Sequence, residues 1–197
     1  MIISHKHRFI FLKTNKTAGT SIEIGLSRFC APSDVITPVA REDERIRQEL
    51  RYTGPQNTVI AYTKYSVKDW FYKLVQNKPK QFYNHMPAYK IKPVVGKQIW
   101  DNYFKFCVER NPWDRAISCY YWKTRHRHPV PSITQFIDSG EVNVLKKKGS
   151  ELYSINGHIA VDRICRYENL EIELEAVARL LKLPDKIQLP RAKGQYR

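Results

Sequence analysis

The sequence predicts a single α/β domain over residues 1–197, three layers deep, with a central parallel sheet flanked by helices. Three observations carry this expectation. Two short apolar runs, residues 8–13 (RFIFLK) and 104–109 (FKFCVE), read as buried strands. Each passes through a polar corner into a segment with helical spacing of apolar residues, the alternation that builds parallel sheets. With 42% hydrophobic and 12% aromatic residues among 197, the chain can fill a core and is too apolar for a disordered segment.

The elements follow in order. After the strand at 8–13 comes a polar loop over 14–19. A helix follows over 20–30, with Ile22, Leu26 and Phe29 on one face. Residues 31–57 are charged and punctuated by proline, with room for a short polar helix around 41–52. Residues 58–63 read as another strand. Ser66 with Asp69 three positions on is a capping box, opening a helix that carries Trp70, Phe71 and Leu74. Residues 83–89 (YNHMPAY) form a loop into a short helix. The strand at 104–109 ends at Asn111 and Pro112, an N-cap and a proline suited to the first helical position, so the next helix runs over 113–123. Ser132 with Gln135 marks another helix start. Residues 162–166 form a short strand, and Asn169 caps a helix that reaches Leu183 before Pro184.

The chain holds 34 Lys and Arg against 19 Asp and Glu, a formal net charge of +15. That surplus implies an anionic partner without saying which. The run Lys146-Lys147-Lys148 reads as a solvated turn. None of the four cysteines, Cys30, Cys107, Cys119 and Cys165, forms a C-x-x-C pair, so metal and redox motifs have no support and a reducing compartment is expected. Residues 1–11 lack the apolar core of a leader, and no stretch is long and apolar enough to span a bilayer. The expected location is cytoplasmic, with a lumenal one only if an anchor has been removed.

Two segments carry chemistry. The first, Lys13-Thr14-Asn15-Lys16-Thr17-Ala18-Gly19-Thr20-Ser21, joins a strand to a helix. Such a corner presents backbone N–H groups and the positive end of a helix dipole to an anion. Gly19 permits close backbone approach; Thr17, Thr20 and Ser21 bring hydroxyls; Lys16 brings a mobile charge. It is not a Walker A loop, whose lysine follows the last glycine. An ordinary polar turn is the plainer reading of the same residues. The second segment, Phe106 to Ser118, holds Arg110 where a strand ends and a helix begins. Its guanidinium can take two phosphate oxygens at once, and Ser118, about two helical turns on, can join it. The plainer reading is a structural arginine paired with Asp114 or Glu109.

Together these segments resemble the sulfotransferases that use 3′-phosphoadenosine 5′-phosphosulfate (PAPS), especially the carbohydrate branch with its uronyl and heparan 2-O-sulfotransferases. Residues 16–21 match that family's P-K-T-[AG]-G-T-[ST] loop, with Asn15 where proline is usual. Arg110 to Ser118 matches its R-N-P-[WY]-D-R-x-x-S segment throughout, and Arg166-Tyr167-Glu168-Asn169-Leu170 resembles its R-[FY]-E-[ND]-L segment. The resemblance implies a P-loop-like fold and in-line transfer of a sulfuryl group to an acceptor hydroxyl, with PAP as product and no metal. It implies that Lys16, Thr17, Ala18, Gly19, Thr20 and Ser21 hold the 5′-phosphosulfate. Lys16 would lie on the bridging oxygen, and Arg110 and Ser118 would hold the 3′-phosphate. His85, in a His-x-Pro-Ala segment between the two motifs, is the candidate general base; Asp69, Glu23 and His158 compete. The group Arg125-His126-Arg127-His128 reads as a solvated turn or as a contact for an anionic acceptor. Arg191 and Lys193 in the basic tail suit a loop closing the nucleotide site, or a frayed terminus. The expected acceptor is a glycan, with no nucleic acid or membrane segment involved. Two other readings remain. A P-loop-type kinase requires a Mg²⁺ carboxylate at a strand end, for which Asp162 is the weak candidate. A basic nucleic-acid-binding module rests on charge alone.

Overall fold

The structure, a computed structural model, describes residues 1–147 and 149–190. Two strands open the chain, β1 (Ile2–Ser4) and β2 (Phe9–Phe11), followed by helix α1 (Gly19–Ser27), β3 (Val35–Ile36), α2 (Arg41–Glu49), α3 (Val67–Gln76), α4 (Ala88–Val95) and α5 (Lys97–Asn102). Then come β4 (Phe104–Glu109), α6 (Pro112–Thr124), α7 (Ile133–Asp138), α8 (Val144–Lys147), the small hairpin β5 (Ser154–Ile155) and β6 (His158–Ile159), β7 (Arg163–Arg166) and α9 (Leu170–Leu180).

The main sheet has the order β3-β1-β2-β4-β7. It is mixed, which corrects the expectation of a parallel sheet. β2, β4 and β7 are parallel, but β1 pairs antiparallel with both β2 and β3. The strand expected at 8–13 is therefore the second, because residues 5–8 turn the chain back on itself. Tight turns can join only antiparallel neighbours.

Alternate residues feed two cores. Phe9, Phe11, Phe106 and Val108 face Ile22 and Leu26 of α1 and Leu174 and Val177 of α9. Ile10, Leu12 and Cys107 face Ile91, Val94 and Trp100 of α4 and α5. Helices thus cover both faces, as the near-continuous apolar runs of β2 and β4 require. Phe106 lies 5.2–6.0 Å, centroid to centroid, from Phe9, Phe11 and Phe104, and is fully buried. Each such ring contributes roughly 1.5–3 kcal/mol of burial.

Local signals mostly place the helices. Ser66 and Asp69 cap α3 reciprocally, Ser132 and Gln135 do the same for α7, and the Asn111 side chain accepts the Trp113 N–H at the start of α6. Two expectations fail. Residues 58–63 make one antiparallel bridge, Val59 to Gln81, and turn into a 3-10 helix over Tyr62–Lys64, so the pairing stops before a strand develops. Asn169 holds the N-cap position of α9 with no side-chain bond; a 3-10 turn over Tyr167–Asn169 leads in instead.

Candidate functional site

Because β2 and β4 are adjacent and parallel, the corners at their C-terminal ends open on the same edge of the sheet. β7, parallel to β4, brings a third corner to that edge.

The first corner is the loop from Leu12 to Ala18. Thr14 Oγ1 donates to the Val108 carbonyl of β4. With that proton committed, Thr17 Oγ1 must be the donor in its 2.8 Å bond to Thr14 Oγ1. The Thr17 hydroxyl therefore has no proton for a ligand, and its backbone N–H is what it can present. Thr20 and Ser21, nearly buried in the first turn of α1, make no side-chain hydrogen bond among the described residues.

Lys16 and Ala18 both adopt the left-handed region, with φ of 63° and 58°. That costs on the order of 1–3 kcal/mol each and recurs at ligand clamps. Ala18 stands at the N-cap of α1 and has no side chain to offer the first-turn N–H groups. No acidic residue occupies that turn. An anion meets neither a competing cap nor a like charge there. A Cβ on Gly19 would lie 2.7 Å from Lys13 Cγ and 3.3 Å from the Thr14 carbonyl, so only glycine fits this tight corner.

The two lysines of the loop divide their work. Lys13 is buried, and its Nζ lies 2.8 Å from Glu23 Oε2. Glu23 also receives the Met1 amino group at 2.9 Å and the Thr37 hydroxyl at 3.0 Å. Burial pushes the Glu23 carboxyl up, but the Met1 ammonium and Lys13 push it further down, below the ordinary carboxylate value. An ionised carboxylate so fully bonded is structural, which removes Glu23 as a base. Lys16, half-buried, lays its Nζ 5.0 Å over the Trp122 ring on α6.

His85 comes to the same loop. Its Nδ1 lies 2.8 Å from the Lys13 carbonyl oxygen. A carbonyl only accepts, so Nδ1 carries the proton, and Nε2 is the basic nitrogen of the neutral ring. The preceding residue fixes its place: Asn84 Oδ1 accepts from Lys13 Nζ at 3.4 Å and its Nδ2 donates to the Pro38 carbonyl. His85 itself is left-handed, with φ of 58°. The competing bases are elsewhere. Asp69 is spent on the cap of α3 and on Lys80; burial alone pushes its carboxyl up, and bonds from Lys80 and Ser66 bring it down to about 2. His158 is exposed on the β5–β6 hairpin.

The second corner follows β4 and begins with Arg110. Its carboxylate partner is not Glu109. Arg115 takes Glu109, with Nη1 2.8 Å from Oε2, and donates from Nε to the Asn15 carbonyl at 2.8 Å. Burial pushes the Glu109 carboxyl up against the pull of Arg115, with a net shift upward. The Arg110 guanidinium sits 4.2 Å above the Tyr167 ring, and its Nε is buried with no hydrogen bond among the described residues. A buried donor with no partner costs about 1–3 kcal/mol, which a bound anion would recover. Ser118 lies half-buried on α6, and no hydrogen bond joins it to Arg110 among the described residues.

The third corner, after β7, braces the second. Tyr167 supports Arg110, and Glu168 Oε1 accepts the Asn111 N–H at 2.7 Å. Sequence reasoning gave 166–170 no task and missed Arg115; the repeated arginine in Arg110-Asn111-Pro112-Trp113-Asp114-Arg115 was the available signal.

Other candidates fall outside this edge. Asp162 accepts from the Lys105 N–H at 2.7 Å at the opposite, N-terminal end of β7, far along the sheet from any phosphate on the loop. The kinase reading loses its carboxylate candidate. Arg127 pairs with Glu141 through both terminal nitrogens, at 2.7 and 2.9 Å, and Arg125 stacks on Trp122 at 3.5 Å. Arg191 and Lys193 lie outside the described residues, as does Lys148. Among the described residues, no three His, Cys, Asp or Glu side chains gather as metal ligands, and no helix is long and apolar enough to cross a membrane.

Comparison with known proteins adds three findings. The sequence model of the Sulfotransferase family matches residues 1–154, which include both the loop and the Arg110 corner but not the third corner. An uncharacterized protein of Archaeoglobus fulgidus is 34% identical over 106 residues, 53% of this chain and 88% of that protein. No solved structure matches.

Proposed function

Since the chain belongs to the sulfotransferase family, we propose that it transfers the sulfuryl group of PAPS to an acceptor hydroxyl, with a sugar as the favoured acceptor class. One observation carries the choice of donor. An uncapped helix N-terminus and an arginine with a buried, unbonded Nε stand at neighbouring corners of one sheet edge. A nucleotide with phosphates at both the 5′ and 3′ positions has an anion for each. The tight Gly19 corner suits a phosphosulfate lying on backbone N–H groups.

In this reading the donor supplies an activated sulfur–oxygen bond. Residues 17–21 hold its 5′ end through backbone N–H groups and the hydroxyls of Thr20 and Ser21. Arg110, with Ser118, holds the 3′-phosphate, and Tyr167 keeps the guanidinium plane in place. Lys16 leaves the face of Trp122 to meet the bridging oxygen, where negative charge grows as the sulfur–oxygen bond breaks. A cation–π contact of this kind is worth about 0.5–1 kcal/mol at a partly exposed site. His85 Nε2 takes the proton of the attacking hydroxyl as its oxygen bonds to sulfur, and PAP departs. The charge surplus of +15 favours an acidic glycan.

Thermal denaturation with added nucleotide tests the two-corner grip. PAP should raise the melting temperature clearly more than AMP, which lacks the 3′-phosphate. Equal shifts would remove the role given to Arg110. Labelled PAPS offered with a panel of glycans, lipids and small alcohols then identifies the acceptor.

A further inference from the structure

Helix α3 is the element whose sequence the fold does not explain. Its segment leaves the body through a paired neck: Ile60 and Phe82 are buried, the Ile60 N–H donates to the Lys80 carbonyl at 2.9 Å, and the Phe82 N–H to the Thr58 carbonyl at 2.8 Å. Beyond the neck, the rings of Tyr62, Tyr65 and Trp70 pack together at 5.2–5.7 Å, and Lys73 Nζ lies 3.7 Å over Tyr62. These contacts anchor one side of the helix. Its ends are self-sufficient, with the Ser66–Asp69 box at one and a left-handed Asn77 at the other.

The opposite side is apolar and bare. At about 100° per residue, Val67, Phe71, Leu74 and Val75 share one arc, and they are 87%, 65%, 81% and 67% exposed. No residue of α3 is buried. Clustered exposure of large apolar side chains marks an interaction surface. Its surroundings are cationic: residues 61–80 contain Lys64, Lys68, Lys73, Lys78 and Lys80 against a single acid, Asp69, which is paired with Lys80.

We propose that α3 is a peripheral docking helix that lays Val67, Phe71, Leu74 and Val75 into an anionic lipid surface. Lys68 borders the apolar arc, and Lys64 and Lys78 flank the two ends of the helix, where they meet acidic headgroups. Apolar residues on one side and lysines around them are what an interfacial helix needs. A second copy of the chain fits less well. Two such faces would oppose lysine to lysine. A helix of this length also offers a footprint of about 15 by 10 Å, well short of the roughly 800 Å² per partner of a stable interface. The inference does not depend on the identity of the donor or acceptor.

Co-sedimentation of the full chain with vesicles of phosphatidylcholine and phosphatidylserine, beside vesicles of pure phosphatidylcholine, tests it. The chain should partition onto the mixed vesicles, bind the neutral ones far less, and release as salt rises. F71S/L74S alters two side chains that face solvent, so its melting temperature should stay that of the parent. Its partition should fall by on the order of tenfold or more. No binding to the mixed vesicles overturns the proposal, as does binding that F71S/L74S leaves intact. A parent chain that is dimeric without lipid while F71S/L74S is monomeric also overturns it, assigning the face to self-association.

Discussion

Arg115 on α6 donates from Nε to the main-chain carbonyl of Asn15 at 2.8 Å while its Nη1 holds Glu109 at the end of β4. One side chain thus fixes the loop before α1 to the helix that follows Arg110. Arg115→Ala should weaken PAP binding and cost about 2 kcal/mol of stability, discounted for the partial exposure of Glu109.

The same variant has a distinctive pH dependence. Burial raises the Glu109 carboxyl, and Arg115 opposes it. A raised folded value means stability is whole below the ordinary 4.5 and is lost as pH rises through the folded value. Without Arg115 that loss deepens, so R115A should be close to the parent in acid and much weaker near neutrality. Chemical denaturation across pH measures this, and adding Glu109→Gln should flatten the difference.

Lys16 rests on Trp122 and is given the bridging oxygen. Lys16→Ala should lower turnover by orders of magnitude and leave PAP affinity largely intact. PAP titration should change tryptophan emission as the ammonium leaves the ring. Trp122→Phe should abolish that change; an unaltered signal would place Lys16 elsewhere.

His85→Ala should abolish transfer while PAP still binds, and should cost about 1 kcal/mol for the lost bond to the Lys13 carbonyl. Single-turnover transfer and PAP titration on one preparation separate the two effects. Retained transfer would move the base to another group.

Glu23→Gln should cost about 3 kcal/mol or more, because it leaves buried Lys13 without its counter-charge. Glu23 is held below its ordinary value, so its contribution is present above 4.5 and is lost as pH falls through the folded value. The destabilisation by Glu23→Gln should therefore shrink on acidification, read from melting temperatures of parent and variant over pH.

The helices that the sequence announces are those with local signals. Ser66 with Asp69, Ser132 with Gln135, and Asn111 with Pro112 each set a helix start through bonds within a few residues. β4 was legible because both its faces are buried, leaving a run that is apolar except for Lys105 and the terminal Glu109. The antiparallel β1 was not, since three residues carry too little period to distinguish a separate strand from an extension of β2. At the proposed site, residue types alone were enough to single out the loop and Arg110 as candidates. The partner of Glu109 was not, because Arg110 and Arg115 are equally able to reach a carboxylate and only the turn of α6 decides. The burial of Lys13 was also hidden, since it depends on Glu23 from α1 and Asn84 from a distant loop.

The edge proposed to hold the donor is assembled from three stretches of chain that meet only once β2, β4 and β7 are side by side. Asn15 relies on Arg115, and Arg110 relies on Tyr167. A fragment that ends before β7 lacks the Tyr167 ring beneath Arg110, so under the proposed function it should bind PAP more weakly than the whole chain. Nucleotide capture would then report on the docking of β7 and Tyr167 against β4.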